Sequence, residues 1–130
     1  MWINVNPNPR KRLGTDCVIR AFCFAFGMSW YEVYDDLCLV GREDCDWGCN
    51  DDVWGHYLQM RGCTPVVLPK ACPRCITISE FARRYPKGTY IIGTGGHAVA
   101  VIDGDYYDSW DSGQDIASFF WKVPEIERRF

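Results

Sequence analysis

No stretch of this 130-residue chain approaches the roughly 18 consecutive apolar residues that cross a bilayer, so no membrane partner is expected. The opening residues, MWINVNPNPRKR, lack the apolar run of a secretory leader, and the apolar run after Cys17 is broken by Arg20. A cytoplasmic protein, of the producing or host cell, is the expectation. Clustered positive charge is also missing: the net charge is −3, and the basic runs Arg10-Lys11-Arg12 and Arg128-Arg129 are short enough to be solvated turns. That argues against a nucleic-acid partner. The chain has no internal repeat, low-complexity tract or linker. The glycine stretch Gly93-Thr94-Gly95-Gly96 is not followed by Gly-Lys-Ser/Thr, so it is no phosphate loop. Histidine is scarce, with only His56 and His97.

Aliphatic and aromatic residues are plentiful. A chain that is 48% hydrophobic and 24% charged can bury a core, and its length suits one domain over residues 1–130. It also holds eight cysteines. In a reducing compartment these are core thiols, a catalytic thiol or metal ligands rather than disulfides.

Residues 1–14 hold two prolines, three asparagines and a glycine, and read as an extended N-terminal arm or loop. DCVIRAFCFAF, from Asp16 to Phe26, is apolar on every side except at Arg20, which predicts a buried central helix with Cys17 in its first turn. Thr15 or Asp16 would cap it, and Gly27 would end it. A second helix follows the capping box Ser29–Glu32, with Gly41 as its expected stop. A third begins after Asn50 and closes at Gly62. A short fourth follows the capping box Thr77–Glu80 and finishes by Pro86. After Gly88 the period changes to two, predicting strands over Thr89–Ile92, His97–Ile102, Asp105–Trp110 and Ala117–Val123, with TPVVL at 64–68 as a further candidate. Helices first and mostly antiparallel strands afterwards indicate an α+β fold, with the Cys-bearing helix packed on the sheet.

A catalytic cysteine must hold a thiolate, and a helix N-terminus and a neighbouring imidazolium both favour one. Cys17 has the first by position, and His97 is the candidate for the second. Hairpin geometry then selects a carboxylate. If Asp103-Gly104 is a two-residue loop, Ile102 pairs with Asp105 and Val99 with Asp108, so His97, Val99, Asp108 and Trp110 share a face. Asp111 points the other way, and Asp103 lies about 20 Å along the strand. Asp108 is the orienting carboxylate by elimination, and Trp110 can shield the pair. The backbone N–H of Cys17 would be one oxyanion donor, with Asn8 or Asn6 of the arm as candidates for the second. His56 has no evident partner and reads as surface. Trp2, Trp47 and Trp121 are candidates to line a groove.

The blocks GTDCVIRAF and GGHAVAVIDGDYYDSWDSG resemble the papain-like cysteine peptidase superfamily. The similarity is nearest to compact bacteriocin-processing peptidases and to a group of small uncharacterised proteins of phages and gut bacteria. The resemblance implies a papain-like fold and cleavage or transfer at a peptide, isopeptide or related amide bond through a Cys17–His97–Asp108 triad, with a peptide or protein as substrate. No cofactor is implied. One position departs: the bacteriocin-processing enzymes carry a glutamine six residues before the cysteine as oxyanion donor, and here it is Lys11.

Two other readings compete. A binding or inhibitor protein, phage-encoded for instance, could use the same fold without catalysis. A zinc-stabilised interaction module is also open, because Cys72-Pro73-Arg74-Cys75 and Cys45…Cys49 have the spacing of two half-sites for a four-cysteine zinc centre.

Overall fold

A helix that is apolar all round must lie between other elements, and the first helix does. The computed structural model describes residues 1–66 and 76–125, and in these the chain is an α+β fold of four helices and a six-stranded mixed sheet. Helix α1 spans Cys17–Phe26 and ends at Gly27, whose φ of 65° is the left-handed conformation that glycine tolerates at a helix end. Helix α2 spans Trp30–Asp44, α3 Asp51–Met60 and α4 Ile78–Arg84. Both predicted capping boxes form, Ser29 with Glu32 and Thr77 with Glu80.

The strands are β1 (Trp2–Asn4), β2 (Thr64–Pro65), β3 (Thr89–Gly93), β4 (Ala98–Ile102), β5 (Asp105–Asp108) and β6 (Phe119–Val123). They are ordered β1-β5-β4-β3-β6-β2, antiparallel throughout except for the β1–β5 pair. Central β3 and β4 are buried along their whole length. Alternation divides their side chains between two clusters. Ile91, Ala98 and Ala100 pack with α1–α3 around Phe22, Phe26, Trp54 and Leu58, while Tyr90, Ile92, Val99 and Val101 pack with Ile78 and Phe81 of α4. Phe22 meets the rings of Phe26, Trp54 and Tyr57, each such pair contributing about 0.5–1.5 kcal/mol beyond burial. Among the described residues no helix is long and apolar enough to cross a membrane.

Five expectations need correction. The chain does not begin with helices: residues 2–4 of the predicted arm form β1, a parallel edge strand on β5. The second helix runs through Gly41 to Asp44, with Cys45 (φ 55°) at its end. Gly41 serves packing instead, since a Cβ there would lie 2.7 Å from the Asp46 carbonyl oxygen and 3.0 Å from the Gly48 nitrogen. A methyl group would push the 46–48 loop off the helix. The strand predicted from His97 begins at Ala98, and the one predicted to reach Trp110 stops at Asp108. His97 and Trp110 therefore sit just beyond the ends of paired strands. Of the TPVVL segment, only Thr64 and Pro65 are strand among the described residues, and 67–68 lie outside them.

Candidate active site

The hairpin between β4 and β5 is the two-residue turn the sequence predicts. Asp103 and Gly104 both take positive φ (49° and 86°), the requirement of a type I′ turn, and Ile102 pairs with Asp105. The paired ladder stops at Ala100↔Tyr107. A tight turn, in which the Thr94 N–H donates to the His97 carbonyl at 2.9 Å, then brings the imidazole to the strand end.

There the His97 Nε2 lies 2.6 Å from the Asp108 Oδ2. A carboxylate can only accept, so Nε2 carries the hydrogen and Nδ1 is the nitrogen left to exchange a proton with Cys17. Asp108 is itself held firmly. Its Oδ2 also accepts from the Ser112 hydroxyl at 2.7 Å, and its Oδ1 accepts from the Ser109 N–H at 2.8 Å. Its backbone carbonyl accepts from the Val5 N–H and from the Trp2 indole. Strand β1 thus fastens the end of β5 that carries the carboxylate. Trp110 covers one side of the imidazole at a ring separation of 5.0 Å, while remaining 46% exposed.

Cys17, His97, Ala98 and Trp110 line one cleft of about 390 Å³. Burial disfavours a Cys17 thiolate, but hydrogen bonding and charge from His97, the Ala98 N–H and the Arg20 guanidinium outweigh it and hold the thiol below its ordinary pKa. For His97, burial lowers the pKa, yet Asp108 and Cys17 reverse the sign and raise it to about 9. The two directions agree: each group favours the charged form of the other. Neighbouring thiols behave oppositely. Burial pushes Cys49, in the same cleft, up to about 11 and Cys23 up to about 12. Of these three thiols, Cys17 alone has its ionised form favoured.

The start of α1 is prepared as well. Asp16 occupies the N-cap position, but its side chain makes no cap bond. Its Oδ2 accepts from the Asn8 amide and the Trp30 indole, each at 2.9 Å, and its Oδ1 lies 3.3 Å from Arg20. With the carboxylate turned away, the N–H groups of Cys17, Val18 and Ile19 meet no acceptor among the described residues. They are the donors a developing oxyanion needs.

The arm contributes differently from the expectation. Asn8 spends its amide on Asp16 and its Oδ1 on the Arg10 N–H, and it does not line the cleft. Asn6 donates to the Arg12 carbonyl, and Lys11 donates to the Asn6 carbonyl at 2.9 Å. The carboxamide that does line the cleft is Asn50, which gives one Nδ2 hydrogen to Asp46 and keeps the other. No sequence signal marks Asn50, Ser112 or the diversion of Asp16, because each depends on a fold-level neighbour. His56 does have a partner, Asp44 of α2, at 2.8 Å.

Of the zinc candidates, Cys45 is exposed at the end of α2 and Cys49 lines the cleft, while Cys72 and Cys75 lie outside the described residues. Among the described residues no group of three or more His, Cys, Asp or Glu could hold a metal ion. Compared with models of known families, with curated proteins and with solved structures, the chain matches none of them.

Proposed function

We propose that this protein is a thiol hydrolase or acyl transferase of papain-like architecture, acting on a peptide, isopeptide or related amide through Cys17, His97 and Asp108. The supporting observation is the meeting of a depressed-pKa thiol at an uncapped helix start with a histidine whose far nitrogen is held by a buried carboxylate. His97 Nδ1 takes the Cys17 proton, and the thiolate attacks the amide carbonyl carbon. The C=O electron pair moves onto oxygen, which the α1 N–H groups receive. Collapse re-forms the carbonyl and expels the amine, which takes its proton from His97. Water, or a second amine in a transferase, then attacks the thioester with His97 again as base, and Cys17 leaves as thiolate. Asp108 holds the ring orientation and its charge through both halves.

One observation favours a non-catalytic binding protein on the same fold. Lys11, where the bacteriocin-processing enzymes carry glutamine, is turned onto Asn6 and supplies no donor at the cleft.

Digestion of a mixed peptide library, read by mass spectrometry, separates the two. The hydrolase reading predicts cleavage that falls about a thousandfold or more in Cys17→Ala. It also predicts a bell-shaped kcat/KM whose alkaline limb lies near the His97 value of about 9. No cleavage by the wild type would hand the site to the binding reading, and cleavage that survives in Cys17→Ala would contradict Cys17 as the nucleophile.

A further inference from the structure

The cleft does not end at Cys17. Gly14, Thr15, Trp47 and Cys49 line it and also line a neighbouring pocket of about 530 Å³, so the two adjoin. Residues of the arm make one wall of this pocket and the first turns of α2 make the other. The α2 wall is aromatic. Trp30 stacks on Tyr34 at 5.2 Å and meets Tyr31 edge-on at 5.7 Å, while Trp47 stands between pocket and cleft. The indole of Trp30 is fixed by Asp16, the residue just before the nucleophile, so the aromatic platform is built before any ligand arrives.

Tyr31, Tyr34 and Trp47 are 61%, 40% and 62% exposed. Three large rings left in water beside a reactive thiol are the kind of apolar patch that marks a binding surface. The rim adds charge. Arg10 and Arg12 line the pocket, and neither guanidinium has a hydrogen bond or ion pair among the described residues. The carboxylate in the lining, Asp16, is buried and already taken by Asn8, Trp30 and Arg20. In a chain of net charge −3, this place offers aromatic faces together with positive charge that no described carboxylate pairs with.

We propose that the pocket is a substrate subsite for a bulky aromatic side chain with a carboxylate next to it, in a peptide laid across Cys17. The ring lies against Trp30, Tyr34 and Trp47, and the carboxylate pairs with Arg10 or Arg12. The same two guanidinium groups repel lysine and arginine in the flanking positions, which gives the site a basis for rejecting basic peptides. This inference rests on the thiol-hydrolase reading and narrows its substrate class.

The test uses the full wild-type chain and reads how well a blocked peptide, acetyl-Gly-Asp-Phe-Asp-Gly-amide, protects Cys17 from iodoacetamide. The concentration that halves the labelling rate is expected to be about tenfold lower than for the analogue with alanine in place of phenylalanine. It is expected to be about threefold lower than for the analogue with asparagines in place of the acids, a margin that closes in high salt. Trp47→Ala should erase the first difference, and Arg10→Ser with Arg12→Ser the second. Fast labelling without peptide, combined with equal or absent protection by all three peptides, overturns the subsite and leaves the Cys17 reading standing. Slow labelling with the pH dependence of an ordinary thiol overturns the hydrolase reading itself.

Discussion

Asp108→Ala is expected to lower the melting temperature by about 10 °C and to remove most of the reactivity of Cys17. The carboxylate is only 6% exposed and satisfies three donors: His97 Nε2, the Ser112 hydroxyl and the Ser109 N–H. Alanine strands all three, and Ser112 is fully buried. An unmet buried donor costs about 1–3 kcal/mol, so a loss of about 3 kcal/mol is a modest sum, and for a chain of this size that corresponds to about 10 °C. Asp108→Asn separates stability from chemistry. Its oxygen can still accept from Ser109 or Ser112, so about half the thermal loss should return. The charge that raises His97 does not return, and the alkaline limb of any activity should move down from about 9 toward the ordinary histidine range. Thermal melts and pH–rate profiles of the two variants check both halves.

The second large effect concerns His97. In the wild type the imidazolium beside Cys17 favours its thiolate. His97→Ala removes that charge and hydrogen bond while the opposing burial of Cys17 remains, so the thiol should rise to at least its free value of ~8.5. The thiolate fraction at pH 6 then falls. Iodoacetamide labelling of Cys17 at pH 6 should therefore slow, by less than the fall in thiolate because a more basic thiolate is the stronger nucleophile. The loss should shrink as pH rises and the mutant thiol itself ionises. Alkylation and turnover also part company at high pH. Alkylation needs only the thiolate and stays high, whereas turnover needs a protonated His97 for the leaving amine and declines. The linkage to stability has a definite sign. Because the folded His97 pKa is raised, its contribution is complete below ~6.5 and is lost as pH climbs through about 9. The lowered Cys17 acts oppositely: its contribution is present above ~8.5 and is lost as pH falls through the folded value.

Local rules carried much of the fold. The capping boxes at Ser29 and Thr77 marked two helix starts to the residue, and Asp103-Gly104 determined the register that puts Asp108 near His97. That pairing needed only the period of a strand and the length of a turn. What escaped depends on distant partners. Residues 2–4 have no pattern of their own and become a strand because β5, about a hundred residues on, offers an open edge. Gly41 looks like a helix stop in one dimension, yet its purpose is the close approach of the 46–48 loop. Asp16 has the identity and position of a cap, but Asn8, Trp30 and Arg20 draw its carboxylate away. Only the assembled structure shows that this diversion leaves the Cys17 end of α1 open. Asn8, considered as an oxyanion donor, gives an amide hydrogen to Asp16 and stands outside the lining of the Cys17 cleft.

The most direct measurement of the central claim is the ionisation of Cys17 itself. Thiolate absorbance near 240 nm, titrated from pH 4 to 10 in the wild type and corrected with Cys17→Ser, reports that equilibrium without any substrate. A Cys17 midpoint below ~8.5 is expected, moving to or above that value in His97→Ala. A wild-type midpoint at or above ~8.5, unchanged by the loss of His97, would make Cys17 an ordinary core thiol and contradict the account.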